Sequence, residues 1–397
     1  MANIIKLRNP IKDKIAIVGI GSTGFSKEGN ERSRGSLAAE ASIKAIRDAG
    51  LTAKDIDGVV ATAHAPWWMV SALGLPSVRH YTSHPMPLVL GITDAMNAVF
   101  SGSADHVLVY HAVYRTPATS RAAYADPFRR KLGFGGTDPF MPERFDPENI
   151  AGGTGYTMWA SRYEHEYGNV REAMAHIAVN SRTGATQNPL AAVRDPMTFD
   201  DYWKARMVRE PMSVFDMDLP VDGGDAFVIT TAERARDLPG KPVYIHAATT
   251  GIVARNQEDM IPGLHNHGQH RAIETLRGKS DIWIPDIDVY FPYDGFTFIT
   301  LSWIENVGWC KPGEGLEFLK QHWDKEKNRL LINGKIPMNT HGGNLSEGGT
   351  QGSGHIREAV TQLRGTAGER QVSNAKTAFL TIGGMFFNAQ GLVLRAD

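Results

Sequence analysis

The chain has 397 residues, 42 basic against 43 acidic side chains and a formal charge of −1, which suits one large or two fused α/β units and supplies no long-range field to gather nucleic acid or an anionic membrane. Its single cysteine, Cys310, excludes an intrachain disulfide and fits a reducing compartment. The N-terminus has no signal-peptide-like apolar run and no later stretch is apolar for long enough to span a bilayer, so a soluble cytoplasmic protein is expected, with neither nucleic acid nor membrane as partner.

A β-branched run at Ile15 to Val18 predicts a strand, followed by a helix from Ser36 to Asp48 that Gly50 closes. Asp55-Ile56-Asp57 then leads into a second strand at Val59-Val60. Between the first strand and the helix, Gly19, Gly21 and Gly24 have the spacing of a dinucleotide-binding turn. However, no helix opens at Gly24 and no acidic residue ends the next strand, so a glycine-bearing loop is expected there. Tyr114 to Asn149, rich in Arg, Pro, Gly and Phe, reads as an irregular inserted region. A helix from Tyr156 to Tyr167 with a Gly168 stop follows, then two further helical stretches. Pro220 to Thr231 reads as a turn and a strand completing the first half.

The opening phrase then returns: a strand at Val243 to Ile245, a helix near Ala272 to Leu276, Asp286-Ile287-Asp288, and a strand at Val289 to Phe291. A strand, helix and strand unit repeated about half a chain later predicts two similar α/β halves. Their boundaries are 12–113 with 214–240 for the first and 241–397 for the second, with 114–213 inserted. His265, His267 and His270 cluster as metal ligands do, but no carboxylate stands at ligand spacing. A polar loop that positions a substrate or partner is the preferred reading, and no metal is expected. No Gly-x-Ser-x-Gly elbow is present for a serine hydrolase.

Three segments carry a family resemblance. Asn339 to Gly354 resembles the histidine loop of thiolases, Pro220 to Ala226 their Asp-Gly-Ala-Ala turn, and Ile382-Gly383-Gly384 their C-terminal glycine loop. The resemblance implies the thiolase fold: an α/β protein with two duplicated five-stranded mixed sheets sandwiching helices in αβαβα layers, normally a homodimer, with an acyl-CoA site where loops converge. It also locates four departures. The nucleophilic cysteine falls near Pro85 or Met86, the asparagine that helps hold a catalytic water is Tyr293, the histidine is Gly349, and the second cysteine is Thr381. Cys310 lies away from these loops. Acyl-enzyme chemistry by the thiolase route is therefore not available.

The chain is most similar to the lipid-transfer-protein-type thiolase-like aldolases that shorten steroid side chains, through Tyr293 to Thr297, Asn339 to Gly343, Ala232 to Leu238 and Gln362 to Gly365. That branch implies retro-aldol cleavage of a β-hydroxyacyl-CoA, with a small companion protein of OB-fold and zinc-ribbon type and coenzyme A present only as part of the substrate. A second catalytic tyrosine of such relatives falls at Gly349, so a two-tyrosine mechanism does not transfer whole.

Retro-aldol cleavage needs a base for the β-hydroxyl proton and donors for the thioester enolate. Tyr293 is the candidate for proton transfer, provided that neighbouring donors lower its pKa from about 10. His341 is either that neighbour or the base itself. Glu347, Gln351 and His355 are near in sequence only. His84, Asn344, Gly349, Gly383 and Gly384 form the candidate substrate-binding set, with structural packing as the alternative for His84. The glycines Gly342, Gly343, Gly383 and Gly384 let backbone amides approach the thioester oxygen, where one donor contributes roughly 3 kcal/mol. Two rival functions stand beside the lyase: a catalytically silent acyl-CoA- or lipid-binding subunit, and an acyltransferase using Ser83.

Overall fold

Side chains of β1 (Ile15–Ser26) alternate between two apolar clusters, Ala16 and Val18 facing one, Ile15 and Ile17 the other. A strand covered on both faces requires this period of two. The same division recurs in β2 (Gly58–Thr62), β4 (Val107–Tyr114) and β5 (Asp222–Thr231). The computed structural model describes residues 5–29, 32–62, 65–84, 88–116, 154–255 and 261–397. Most of the predicted irregular region, and the positions Pro85 and Met86, lie outside the described residues.

With β3 (His80–His84), β6 (Val243–Gly251), β7 (Val289–Pro292), β8 (Thr377–Ile382) and β9 (Ala389–Arg395), these strands form a nine-stranded sheet in the order β3-β2-β4-β5-β1-β6-β9-β8-β7. Each half repeats one scheme, parallel pairing at its far edge and antiparallel pairing toward the middle. The halves meet where Ala16 and Ile17 pair with Tyr244 and Val243. The first half has its five strands. In the second, the fifth is reduced to a parallel bridge between Tyr290 and Met338, because Ile336 and Pro337 pair instead with Leu331 and Ile332 in a small separate ribbon.

Helices α1 (Arg34–Asp48) and α2 (Pro66–Leu73) cover the outer face of the first half, and α6 (Gly268–Lys279) that of the second. Between the halves lie α3 (Val89–Phe100) and α9 (Ser353–Arg364), each touching strands of both. The layers therefore run α, β, α, β, α. Gly19 and Gly21 sit within β1 rather than in a loop. A Cβ on either would lie 2.2 Å from the carbonyl oxygen of Ala45 or 2.1 Å from that of Ala41. These glycines let α1 pack backbone-close onto the strand, and no phosphate-binding turn forms.

The central helix α9 is fastened into the opposite half by charge. Arg357, 4% exposed, donates from Nη1 to Asp225 Oδ1 on β5 at 3.0 Å and to Ser22 Oγ on β1 at 3.2 Å, and from Nη2 to Glu347. Ser353 donates to the other Asp225 oxygen at 2.6 Å. Burial pushes the Glu347 carboxyl up to about 7 against the pull of Arg357. Removing one partner of such a buried set leaves uncompensated charge, so Arg357→Met should destabilise the protein by about 3–5 kcal/mol; an unfolding midpoint equal to wild type would contradict this. A carboxyl raised from its ordinary 4.5 favours the folded state while protonated, and that stability is lost as pH rises toward 7. Measured against Glu347→Gln, wild-type stability should therefore fall between pH 5 and 7, by at most about 3 kcal/mol, and a flat difference would refute it.

Candidate active site

Tyr293 follows β7 directly, its amide donating to the Thr381 carbonyl at 2.7 Å, so it stands where β7 and β8 end. The ring folds back over Gly295, where a Cβ would lie 2.6 Å from Cε1 and 3.1 Å from the hydroxyl oxygen. The hydroxyl, on a residue 7% exposed, donates to Gln351 Oε1 over a long 3.4 Å. Burial drives the phenol well above its ordinary pKa, Asp218 adds to the rise and Arg115 opposes it. The donors that were expected to lower it are outweighed by loss of water, so Tyr293 rests as a neutral donor. Beside it, fully buried Asp294 accepts from the Asn344 amide at 2.7 Å and from Ser181 at 3.2 Å. Ser181 belongs to α5 (Val170–Thr186), which with α4 (Thr154–Tyr167) comes from the stretch between the halves.

The histidine loop turns through the short helix α8 (Gly343–Ser346). His341 is sealed; its ring meets those of His355 at 4.7 Å and Phe291 at 5.8 Å, and its Nε2 lies 3.9 Å from Glu347 Oε2. Burial first and His355 second hold its pKa well below the ordinary histidine value, so it is neutral. His355 is the histidine nearer Tyr293, rings 6.0 Å apart, and its Nε2 lies 3.1 Å from Asp294 Oδ1. Asn188 ties the loop down, donating to the His341 carbonyl at 2.8 Å and Glu347 Oε1 at 2.7 Å. Asn344 accepts from the Thr350 amide at 3.0 Å, and among the described residues its side-chain nitrogen has no acceptor.

Gly349 lies against an ion pair. Arg115, just beyond β4, donates to Asp218 Oδ2 at 2.5 Å and Oδ1 at 3.1 Å, and to the Gly349 carbonyl at 3.2 Å. The Gly349 amide donates to Leu219 at 2.8 Å. The glycine loop after β8 differs from its expected role. The Gly384 amide is taken by Asn388 Oδ1 at 3.0 Å and the Gly383 carbonyl by Trp303 at 2.8 Å, so the Gly384 amide is not offered to a thioester. Gly384 instead makes room for the Tyr156 hydroxyl, which a Cβ would approach to 1.8 Å.

His84 is not brought to this cluster by any described contact. It pairs with Asp94 on α3 at 2.9 Å and with Thr82 at 3.3 Å. His267 caps α6, accepting from the Gln269 amide, and meets the Leu264 carbonyl at 2.7 Å. Among the described residues no three histidine, cysteine or acidic side chains converge as metal ligands do. Burial pushes the Cys310 thiol up to about 12, which leaves it a poor nucleophile. Sequence reasoning missed Arg115, Ser181, Asn188, Asp218 and Asp294. Asp294, next to Tyr293, was within reach; the others meet the site only through tertiary folding.

The thiolase C-terminal domain-like family model matches residues 262–396. A steroid side-chain-cleaving aldolase of Thermomonospora curvata is 31% identical, covering 96% of this chain and 98% of its own. The 17-hydroxy-3-oxo-4-pregnene-20-carboxyl-CoA lyase of Mycobacterium tuberculosis is 31% identical, over 90% of this chain and 93% of its own. A solved Ltp2-ChsH2(DUF35) aldolase matches with a TM-score of 0.80 at 30% identity, covering 98% of this chain and 99% of that one. The family match and near-full-length likeness to two lyases lead to one conclusion: the chain belongs to the thiolase superfamily, in its branch of thiolase-like aldolases.

Proposed function

We propose that the protein cleaves a β-hydroxyacyl-CoA, of a steroid or bile-acid side chain, by a retro-aldol reaction into a ketone or aldehyde and a short acyl-CoA. The observation that carries this reading is Tyr293: a neutral, buried hydroxyl at the ends of β7 and β8, beside a loop that has glycine in place of the thiolase histidine. Such a site can protonate an enolate, yet holds no histidine at Gly349 to activate a thiol. Coenzyme A enters only as the substrate's carrier, and no resident cofactor is part of the reading. His341, sealed and neutral, supports the loop around Tyr293, and Asn344, equally buried, holds that loop through the Thr350 amide.

Among the described residues β3 is the last strand of this sheet, and Tyr81, Trp67 and Trp68 beside it are 61%, 66% and 44% exposed. Exposed aromatics at a sheet edge favour a homodimer through it. The likeness to an aldolase solved with ChsH2(DUF35) supports a small companion protein of OB-fold and zinc-ribbon type. A cytoplasmic location fits the lone cysteine, and no described helix is long and apolar enough to cross a membrane.

Purified protein, alone and with its companion, should release a free carbonyl product from 3-hydroxyacyl-CoA thioesters. Tyr293→Phe should lower kcat by about 10²–10⁴-fold. Tight acyl-CoA binding without turnover, companion present, would establish the silent binding subunit instead, and an acyl group trapped on Ser83 the transferase. In sedimentation the chain should run at about twice its 43.5 kDa, and Tyr81→Arg should shift it toward monomer; a wild-type monomer would refute the β3 interface.

A further inference from the structure

Cleavage through Tyr293 leaves one requirement unmet. A phenol held neutral by burial can give a proton, but a different group has to take the one on the substrate's β-hydroxyl. Of the acid and base groups around Tyr293, four are closed to a ligand: the side chains of His341, His355 and Asp294 are 0% exposed and that of Glu347 is 1%. Asp218 and Arg115 differ, with side chains 14% and 35% exposed.

We propose that Asp218 is the catalytic base of the retro-aldol step, with Arg115 as its positioning residue, and that the pair occupies the space made by glycine at position 349. The inference rests on the lyase reading above. Its geometry is local. A Cβ at Gly349 would lie 2.4 Å from Arg115 Nη1 and 2.5 Å from Asp218 Oδ2, so the carboxylate stands where any side chain of residue 349 would begin. The Asp218 amide donates to the Gly295 carbonyl at 2.9 Å, and Gly295 is the residue over which the Tyr293 hydroxyl folds. The neighbouring Leu219 amide donates to Asn344 at 3.0 Å and its carbonyl accepts from Gly349 at 2.8 Å. The segment carrying Asp218 is thus laced between the tyrosine loop and the histidine loop, and Arg115 grips the carboxylate with both terminal nitrogens.

The step balances without a cofactor. Asp218 takes the β-hydroxyl proton, the oxygen forms its carbonyl, and the Cα–Cβ bond breaks with its electron pair passing to the thioester enolate. Tyr293 then donates its proton to Cα, and the proton on Asp218 returns to the phenolate. The formal oxidation of Cβ to a carbonyl is matched by the reduction of Cα, so no external oxidant or reductant is needed.

The test compares wild type, Asp218→Asn and Asp218→Ala with the companion protein and a 3-hydroxyacyl-CoA. Expected results are a 10²–10⁴-fold loss of kcat in both variants, KM changed by less than about 3-fold, and partial return of Asp218→Ala activity with added formate or acetate. A merely structural aspartate would not give rescue by a small carboxylate. Gly349→Ala, which crowds the pair without removing it, should lower kcat as well, and serves if the Asp218 variants do not fold. Wild-type cleavage with an undiminished Asp218→Asn, or with an undiminished Gly349→Ala where the former is unfolded, overturns the proposal. Loss of activity without carboxylate rescue overturns it as a base. No cleavage by wild type overturns the lyase reading itself.

Discussion

One buried guanidinium holds the two halves in working alignment. Arg357 on the central helix reaches across to β1 and β5 of the first half while gripping Glu347 in the histidine loop of the second. The backbone seam between the halves is only two residue pairs long, so it cannot by itself set their mutual orientation. Three carboxylate or hydroxyl partners on one rigid cation can, because a charge at this depth has no alternative solvation. The histidine loop is located as a consequence, and with it Asn344, Gly349 and Gln351, the last of which accepts from the Tyr293 hydroxyl.

Around this anchor the polar groups sort into two kinds. His341, His355, Glu347 and Asp294 are sealed from solvent. They shape and support. Arg115 and Asp218 lie at the open side of the same loops, with side chains 35% and 14% exposed. Tyr293 stands between the two kinds, buried enough to stay neutral and close to the open ion pair.

Much of this was legible in the sequence. The repeat of strand, helix and strand announced two similar α/β halves, and the resemblance to thiolases supplied their layering; short β-branched runs such as Ile15 to Val18 are what strands covered on both faces require. The glycines of β1 were ambiguous, because a phosphate turn and a helix lying on a strand both call for a missing side chain, and only the position of α1 decides. The weakened fifth strand could not be read, as residues 336 and 337 were claimed by another ribbon. At the site, resemblance singled out Tyr293, but the condition attached to it, a pKa lowered by neighbouring donors, is not met, because burial raises it. Arg115 and Asp218 are 103 residues apart, and nothing local to either marks them as a pair.

The glycine at 349 also limits what a single substitution there could do. A histidine side chain at this position would need empty volume beside it. Here that volume is held by an arginine and an aspartate brought from two other segments. A histidine returning to this position would meet occupied space and a committed ion pair, and would still lack a cysteine to serve. In this packing a single Gly349→His change would not restore thiolase chemistry, because the imidazole would have to displace the Arg115–Asp218 pair.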